Sequence, residues 1–340
     1  MFMAWIEINK SNLFHNLDYF SSLVDGKEKL AVGLKDNAYG HGIVEIAQLC
    51  RDYGISNVFV KNDIEASMIE YLDFDSILIL YGTGKIEYTG SRRVAILSLE
   101  QLHRVKKNSN IELKIDTGMH RNGILPCEID EAIKIIKDKY LNLEGVFTHF
   151  LSADENSKRF IFQETVLKHC VKKISKSINT IFRVHCANTC ASHKVDVNEY
   201  SLFRVGIGTY GYIDIDLMQG NLKPVMSLIA EKISTRKIAM HETVGYGSTA
   251  YINVYDELTV SCYDIGYGDG FFRLNESKKY RIDDGREIMG RVSMDSFSIE
   301  GKDEFITLFN DVSRLARVHN TITYEILTAL SPTLKRVVVE

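Results

Sequence analysis

Lys35 is the residue whose type and surroundings point most directly to chemistry. It follows the apolar run Leu30–Leu34 and precedes the glycine-rich segment Ala38–Gly42. A lysine at the end of a buried strand can form an imine with a carbonyl group, and small residues beyond it let a phosphate group approach the backbone. Burial also lowers the pKa of a lysine, which supplies the neutral amine that imine formation needs. An ordinary surface lysine would not need this apolar flank.

Further polar residues of catalytic type lie late in or after other apolar runs: Asp116, Arg121, His149, His185 and Asn188. Arg204 lies near the start of the last run. If the runs are parallel strands of a barrel, their carboxyl ends share one face, and that face carries the active site. The recurrence of such residues at this position predicts an enzyme. Cys186 and Cys190 lie close to His185, but no second ligand pair occurs at zinc-like spacing, so we expect no metal site.

Eight short apolar runs alternate with longer segments of helical periodicity between about residues 29 and 210. The runs are Lys29–Leu34, Asn57–Lys61, Ser76–Gly82, Val94–Leu97, Ile111–Asp116, Leu143–Phe150, Thr180–Cys186 and Phe203–Gly208. Runs this rich in Val, Ile, Leu and Phe are typical of strands buried on both faces of a parallel sheet. Eight strand–helix units predict an α/β fold, a (β/α)8 TIM barrel. The alternative, a doubly wound open sheet, usually has fewer strands.

The helical segments of this region differ in length. Apolar residues recur at helical spacing in Ile43–Tyr53 and again in Glu128–Asp138. The segments on either side of the fourth run are short, so their helices are expected to be abbreviated.

The pattern changes after about residue 220. Alternating segments such as Leu258–Tyr263 and Arg281–Ser298 are separated by Gly- and Asp-rich turns, and helical spacing returns at Asp311–Leu330. This predicts a mostly antiparallel β domain. The opening run Ala4–Ile8 has no helix before it and is expected to join that domain. We therefore predict a barrel domain at residues 9–220 and a β domain at residues 221–340 together with residues 1–8.

Composition narrows the compartment and the partners. The chain has 340 residues, of which 45% are hydrophobic and 25% charged, the balance of a globular protein. Its formal net charge of −4 argues against a nucleic-acid surface, which would need a basic stripe. The N-terminus lacks a signal-peptide pattern, and no stretch has the apolar length to span a bilayer. We expect a cytoplasmic protein without a membrane partner, whose six cysteines are reduced.

Four parts of the chain resemble, in order, the motifs of the alanine racemase family. They are Ala31–Gly42, Asp116–Arg121, His185–Asn188, and the late pair Val244–Gly247 and Gly290–Asp295. The resemblance covers almost the whole chain. It implies an isomerase that interconverts L-alanine and D-alanine with pyridoxal 5'-phosphate, bound covalently as an imine on Lys35. It also implies a homodimer with shared active sites and a small-molecule amino acid as substrate.

The resemblance assigns roles to individual residues. It implies that Lys35 and Tyr246 are the catalytic pair, with the tyrosine entering the partner subunit's site. It also implies that Arg121 holds the substrate carboxylate, assisted by the backbone of Met294 from the partner subunit. Lys114 matches a family lysine that is subject to carbamylation, which steadies this arginine. Residues expected at the cofactor are Lys35, Tyr39, His149, Asn188, Thr189, Arg204, Gly206 and Ile207. Residues expected to support the site or line its entrance are Lys114, Tyr267, Asp295, Arg273 and Arg291.

Racemisation needs two groups that flank the substrate, because a proton leaves one face of a planar carbanion and returns to the other. By resemblance, Lys35 and Tyr246 fit these places. The unperturbed pKa of a tyrosine is about 10, so the phenol needs help to act as a base, and His149 and Arg204 are the expected helpers. In the family this arginine bonds the pyridine nitrogen of the cofactor. Because it keeps its proton, the ring remains a weaker electron sink, which suits racemisation better than transamination.

Three positions depart from the family pattern. Asp36 follows the lysine where the family usually has alanine, and Asn122 replaces a leucine. Pro332 stands where the family normally has a tyrosine that contacts the cofactor phosphate and narrows the pocket. A racemase of broader or different substrate range is therefore an alternative. Two others are a decarboxylase of the same layout, and a non-catalytic pyridoxal-phosphate-binding protein, which would resemble the barrel alone.

Overall fold

The computed structural model of the protein describes residues 3–155, 157–213, 220–247, 251–274 and 279–340. Internal contacts divide the chain into two compact units. The larger unit comprises Leu13–Ala38 and Ile46–Lys223. The smaller unit comprises Met1–Asn12, Tyr39–Glu45 and Pro224–Glu340.

The chain begins with a strand of the smaller unit, β1 (Trp5–Asn9), and then forms a sheet of eight parallel strands in the larger unit. These strands are β2 (Leu30–Gly33), β3 (Asn57–Val60), β4 (Ser76–Ile79), β5 (Arg92–Ile96), β6 (Asn110–Lys114), β7 (Asn142–Phe147), β8 (Arg183–His185) and β9 (Phe203–Val205). Their order is β8-β7-β6-β5-β4-β3-β2-β9. The two ends of this sheet meet, since the Arg204 amide donates to the Ala187 carbonyl and the Ser201 amide to the Val184 carbonyl, each at 3.0 Å. This confirms the predicted barrel fold, and each predicted run overlaps one strand.

The barrel strands form where the sequence can be buried on both faces. Every residue of β2, β4 and β6 is buried. Ala31, Phe59, Leu78, Ala95 and Phe147, from five different strands, pack into one apolar cluster. Burial of this kind explains why the strands appear in the sequence as continuous rather than alternating apolar runs.

The helices of this part of the chain are α1 (Lys10–Leu23), α2 (Ile43–Tyr53), α3 (Asp63–Ile69), α4 (Leu99–Arg104), α5 (Ile129–Asp138) and α6 (Lys158–Ser177). Side-chain oxygens of Asn62, Ser98 and Ser157 cap α3, α4 and α6 by accepting from amides of the first turn. The two predicted helices are confirmed, and the units around β5 are abbreviated as predicted, because residues 80–91 contain no helix and α4 has only 6 residues. No helix within the described ranges has the length and apolar character to cross a membrane.

The smaller unit is built around the long strand β10 (Met226–Ala239). Its other elements are β11 (Thr243–Val244), β12 (Tyr251–Ile252), β13 (Glu257–Tyr263), β14 (Phe297–Glu300), β15 (Phe305–Phe309), α7 (Ser313–His319), α8 (Thr323–Ala329) and β16 (Lys335–Val339). The main sheet has the order β14-β13-β10-β1-β16, and β15 also pairs with β10. Only the pairing of β1 with β16 is parallel among the strand pairs described in this unit, which confirms a mostly antiparallel domain.

The predicted β structure of Arg281–Ser298 is wrong for most of this segment, because a continuous strand begins only at Phe297. Only isolated bridges occur there, between Arg281 and Glu287 and between Met289 and Ser298, before β14 begins. The reason is a turn in which the Gly285 amide donates to the Ile282 carbonyl at 2.9 Å, with Gly285 at a φ of 91°. A residue with this φ breaks a strand, and glycine reaches it without steric cost.

Candidate active site

A left-handed turn directly follows Lys35 at the carboxyl end of β2. Asp36, Asn37, Ala38 and Tyr39 all have φ angles between 53° and 55°. Non-glycine residues adopt this conformation rarely and usually one at a time, so four in succession are held by their surroundings. Glu65 contributes to this, because its carboxylate accepts from the Asn37 amide at 3.0 Å.

The amine of Lys35 lies between solvent and a carboxylate. Its side chain is 32% exposed, and Nζ is 3.0 Å from Asp36 Oδ2. The other oxygen of Asp36 bonds Lys61 Nζ at 2.6 Å. Burial raises the pKa of Asp36, but hydrogen bonds from Lys61 and Lys35 outweigh this and hold it below its usual range. The predicted burial of Lys35 in apolar surroundings is therefore wrong, because the family-atypical Asp36 turns its charge toward the amine.

Arg204 is buried in β9 and is held by β7 and β8. Its Nη1 donates to His185 Nδ1, and its Nη2 donates to the Thr148 carbonyl at 2.8 Å. Because an arginine can only donate, His185 Nδ1 must be the acceptor, and the proton of the neutral ring sits on Nε2. That nitrogen lies 2.6 Å from Glu112 Oε2 and donates to it. Arg183 Nε closes the chain on the other oxygen, Glu112 Oε1, at 2.8 Å.

The charges of this chain follow from burial and pairing. Burial raises the pKa of Glu112, but the Arg183 guanidinium and the neighbouring His185 outweigh this, so the carboxylate is ionised. Burial lowers the pKa of His185 more than Glu112 raises it, so the imidazole is neutral at pH 7. Burial also lowers the pKa of Arg204, to about 10, which leaves it protonated at neutral pH.

His149, Lys114 and Arg121 form a second group, after β7 and β6. Burial and the positive charges of Arg204 and Arg121 lower the pKa of His149 to about 3, so this imidazole is neutral. Burial and the same two arginines lower the pKa of Lys114 to about 8. Lys114 Nζ donates to the side-chain oxygen of Asn122, so Asn122 is a direct partner of the buried lysine.

The turn before Arg121 is built on Asp116. One oxygen of Asp116 accepts from the amides of Gly118 and His120, each at 3.0 Å. Arg121 itself is exposed, and no carboxylate in the described part of the chain forms an ion pair with it. The guanidinium is therefore available for an anionic group from outside the chain.

The ends of β8 and β9 form a turn rich in backbone donors. The Thr189 hydroxyl accepts from the amides of Gly206 and Gly208, each at 3.3 Å, and Ile207 starts a short 3-10 turn. A Cβ on Gly208 would lie 2.6 Å from Phe20 and Thr189, so only glycine fits. Amides gathered at the start of a helical turn are suited to phosphate oxygens. Asn188 caps the preceding turn by accepting from the Ala191 amide at 2.9 Å.

Tyr39 belongs to the smaller unit, where it is buried. Its ring lies 6.0 Å from the ring of Tyr324, on α8. The next residue, Gly40, has its carbonyl bonded by Arg336 Nη2 at 2.9 Å. The segment that contains Pro332 therefore lies beside the glycine-rich loop, and the aromatic contact with Tyr39 comes from Tyr324, whose role the sequence did not indicate.

The two late motifs also meet within the smaller unit. A Cβ on Gly290 would lie 2.7 Å from the Val244 carbonyl, which brings the loops before Tyr246 and Met294 together. The side chain of Tyr246 is exposed, as predicted from its glycine neighbours, and Met294 is exposed as well. The Met294 carbonyl accepts from the Gly268 amide at 2.8 Å, next to the exposed Tyr267. Asp295, Arg273 and Arg291 lie in the same unit, Arg273 5.8 Å from the Tyr267 ring.

The structure thus groups the predicted residues in two sets. Lys35, Lys114, Arg121, His149, Asn188, Thr189, Arg204, Gly206 and Ile207 lie in the larger unit at or beyond the ends of barrel strands, whereas Tyr39, Tyr246, Tyr267, Met294 and Asp295 lie in the smaller unit. Sequence reasoning missed three residues that support the first set. The Thr148 carbonyl bonds Arg204, Gln163 bonds the His149 carbonyl, and Glu112 bonds His185, the neighbour of Arg204. An uncharged glutamine inside a helix gives no signal in the sequence, but a glutamate in the apolar strand β6 does.

Comparison with known proteins agrees with this geometry. The family model described as the alanine racemase N-terminal domain matches residues 8–214, and that of the C-terminal domain matches residues 225–338. The alanine racemase of a Nitratiruptor species is 38% identical and that of Campylobacter concisus 37% identical, each over 98% of this chain and 99% of the relative.

A solved structure gives the same result. The alanine racemase of Clostridium difficile 630 superimposes with a TM-score of 0.87 at 27% identity, over 99% of this chain and 96% of that one. These matches span both units of the chain, so they bear on the barrel and the β domain alike. The chain therefore belongs to the alanine racemase family and is an enzyme of the isomerase class, as the sequence predicted.

Proposed function

We propose that this enzyme interconverts L-alanine and D-alanine with pyridoxal 5'-phosphate, as a homodimer whose active sites are shared between subunits. The observation that carries the proposal is the set of Lys35, Arg204, His149 and Arg121 at the carboxyl ends of the barrel strands, in a chain of this family. We also propose a domain division near residue 220 and a cytoplasmic location. The latter is supported by the absence of disulfides among the six cysteines, all within the described ranges.

The residues present fit the cofactor. The Thr189 hydroxyl accepts from the Gly206 and Gly208 amides and keeps its own proton to donate to a phosphate oxygen, while Arg204 offers a buried, charged donor to a ring nitrogen. Lys35 would hold the cofactor covalently, with Tyr39, His149 and Asn188 around it. When bound, pyridoxal phosphate withdraws electrons from the α-carbon of the substrate and makes its proton acidic.

We assign the two proton transfers to Lys35 and Tyr246. The Lys35 amine takes or returns the α-proton on one face of the substrate, and the Tyr246 phenol of the partner subunit serves the opposite face. The Asp36 carboxylate lies 3.0 Å from Lys35 Nζ and so contacts the amine that would move this proton. The exposure of Tyr246 is consistent with its entry into a second subunit.

Arg204 keeps its proton at neutral pH, and this restricts the reactions that the proposed site can catalyse. Its pKa of about 10 is far above neutral pH, so Arg204 would donate a hydrogen bond to the ring nitrogen and keep its own proton. The neutral His149 lies within the field of this arginine and can accept a hydrogen bond from a phenol. Both residues are assigned to assist proton transfer at the Tyr246 phenol of the partner subunit.

Arg121 and the backbone of Met294 are assigned to the substrate carboxylate. The absence of an ion pair at Arg121 among the described residues supports this, because the guanidinium has no internal competitor. Lys114, with its pKa lowered to about 8, has the neutral fraction that carbamylation requires, although Asn122 already occupies its amine. Tyr267 and Asp295 are assigned to the support of the site entrance.

A chiral assay of the purified protein tests the proposal. Wild-type protein should show a visible cofactor absorbance band, convert L-alanine to a mixture with D-alanine, and exchange the α-deuterium of labelled alanine. Lys35→Ala should lose both the band and the exchange, because it removes the amine that would hold the cofactor. Lys85→Ala, which removes an exposed lysine of the barrel unit, is the matched control. Retention of band and exchange in Lys35→Ala would overturn the assignment.

A second candidate is a racemase of broader substrate range. Pro332 offers neither the hydroxyl nor the aromatic ring of the family tyrosine, although the Tyr324 ring lies 6.0 Å from the Tyr39 ring in a tilted arrangement. Values of kcat/KM for L-alanine, L-serine and L-lysine distinguish the two candidates. A clear preference for a larger side chain would favour this second candidate over the first.

A further inference from the structure

Gln163 is a buried amide in the middle of α6 that bonds two loops of the candidate site. Its side chain is 2% exposed. Nε2 donates to Thr117 Oγ1 at 3.1 Å and to the His149 carbonyl at 3.4 Å, while Oε1 accepts from the Leu151 amide at 2.9 Å. The two backbone partners fix the orientation of the side-chain amide, because a carbonyl only accepts and an amide N–H only donates.

The bonds continue through two hydroxyl groups whose directions can be derived. Thr148 Oγ1 gives its proton to the Ile115 carbonyl at 2.8 Å, so it must accept in its 2.8 Å bond with Thr117. Thr117 therefore accepts from Gln163 and donates to Thr148. The donors in this series of hydrogen bonds all point the same way, from α6 to the carboxyl end of β6. The four residues of the series, Gln163, Thr117, Thr148 and Ile115, are all buried.

This chain of bonds ties together the loops that carry Arg121 and His149. Thr117 lies in the Asp116 turn that leads to Arg121, and Gln163 also holds the backbone on both sides of Phe150. Thr148 adds a third element, because its carbonyl accepts from Arg204. Replacing Gln163 with an apolar residue would leave the His149 carbonyl, the Leu151 amide and the buried Thr117 hydroxyl each short of a partner.

We propose that Gln163 and Thr117 are positioning residues that set the spacing between Arg121 and His149, and so govern the affinity for the substrate carboxylate. The inference rests on the proposed function. Helix α6 packs through other buried residues, which are apolar: Phe160, Leu167, Cys170 and Ile174. The bonds of Gln163 go instead to loop backbone and to Thr117, which is why the inference concerns position rather than general stability.

The matched substitutions are Thr117→Val and Thr117→Ser, because valine keeps the shape and loses the hydroxyl, while serine keeps the hydroxyl. Thr117→Val and Gln163→Met should each raise KM for alanine about tenfold, because both remove hydrogen bonds that fix the loop leading to Arg121. The kcat should stay within about threefold, because Arg121 holds the carboxylate in both ground and transition states. Thr117→Ser should keep KM near the wild-type value.

Hydrogen exchange of the holoenzyme supplies a readout that does not depend on activity. Gln163→Met should speed exchange at the Leu151 amide and in residues 116–121, and leave the barrel strand Ser76–Ile79 unchanged. Equal KM values for Thr117→Val and Thr117→Ser in an active enzyme would overturn the inference, as would uniform acceleration of exchange across the barrel. If the wild type does not racemise alanine, the proposed function fails, and the exchange experiment alone decides whether Gln163 holds these loops.

Discussion

Glu112 supplies the negative charge that lets Arg204 remain charged inside the barrel. The carboxylate does not contact Arg204 directly, because the neutral ring of His185 lies between them. This ring accepts a hydrogen bond from Arg204 at Nδ1 and donates one to Glu112 from Nε2. Arg183 bonds the same carboxylate and completes its hydrogen bonding. A buried ion pair of this kind is costly to break from one side, since the remaining charge stays in a medium of low polarity.

Removal of that charge gives a first prediction. Glu112→Gln should lower the free energy of unfolding by about 3–5 kcal/mol, because Arg183 would be left without a counter-charge and His185 without a carboxylate acceptor. Urea unfolding measures this. Glu131→Gln, on the exposed face of α5, is the matched control and should change stability by less than about 0.5 kcal/mol. Equal urea midpoints for the two variants would contradict the role given to Glu112.

His193 allows a pH prediction away from the candidate site. Its ring lies 5.8 Å from Tyr19 and 6.1 Å from Phe20, and its buried Nε2 has no hydrogen-bond partner within the described residues. Burial lowers its pKa to about 4, against an unfolded value of about 6.5. Between these values the unfolded chain binds more protons, so this histidine lowers stability as the pH falls from 6.5 to 4.

His193→Phe should remove this effect, because phenylalanine keeps the aromatic contacts and cannot be protonated. Measured at about pH 7, 5.5 and 4.5, the urea midpoint of the wild type should fall further on acidification than that of the variant. His169→Gln, which removes an exposed imidazole from α6, should follow the wild type. Parallel curves for wild type and His193→Phe would show that the folded and unfolded pKa values are the same.

At the scale of elements, the barrel was predictable because its strands are buried on both faces and its helices are amphipathic. The α2 and α5 patterns predicted their helices closely, with α5 beginning one residue late. The left-handed turn at Asp36–Tyr39 was not predictable, since no residue in it favours that conformation as glycine does. Tertiary contacts from residues such as Glu65 impose it, and such contacts have no local signature.

The same limit applies to the candidate site. Lys35, Arg204 and His149 could be predicted as candidates from their positions in the apolar runs and from motif resemblance, because charged or titratable residues are uncommon in such runs. Gln163 and Thr117 could not be predicted, because they contribute through hydrogen bonds between elements that are distant in sequence. The polar environment of Lys35 was also missed, since the direction of the Asp36 side chain depends on the left-handed turn.

Gly40 gives a prediction about the loop that follows this turn. It has a φ of +85°, and an added Cβ would lie 2.0 Å from the Leu327 carbonyl, at the end of α8. Gly40→Ala should therefore combine the cost of a left-handed alanine with overpacking, about 2–5 kcal/mol in all. Gly90→Ala is the matched control, because its φ is +60° and nothing lies within 4 Å of its Cβ.

Gly90→Ala should lose only the conformational part, about 1–2 kcal/mol. Thermal or urea unfolding of both variants measures the difference. Gly40→Ala should also weaken cofactor binding, since Tyr39 is the neighbouring residue, and titration of the visible absorbance band detects this. Similar unfolding midpoints for the two variants would mean that α8 moves away from Gly40 without resistance.

At the scale of the whole molecule, the residues proposed for catalysis are divided between the two units. Lys35 and Arg204 lie in the barrel unit, while Tyr246 lies in the smaller unit on an exposed turn between glycines. A two-base reaction needs both groups at one substrate. The proposed homodimer meets this need by combining the barrel of one subunit with the Tyr246 turn of its partner, in an isologous arrangement that creates two equal sites.

Mixed dimers test this arrangement directly. Lys35→Ala and Tyr246→Phe should each be inactive alone, because every site in the homodimers lacks one base. In a mixed dimer, one site carries both substitutions, but the other combines an intact Lys35 with an intact Tyr246. Random pairing of equal amounts makes half the dimers mixed, and half of their sites intact, so co-refolding should restore about a quarter of wild-type activity.

The control for this experiment is mixing without exchange. Folded Lys35→Ala and Tyr246→Phe homodimers, combined without unfolding, should remain inactive over a time shorter than subunit exchange. If co-refolded mixtures also stay inactive while mixed dimers are present by native mass spectrometry, Tyr246 serves the barrel of its own chain. The proton on the second face would then have to come from within one subunit, and the exposed turn at Tyr246 would need a different explanation.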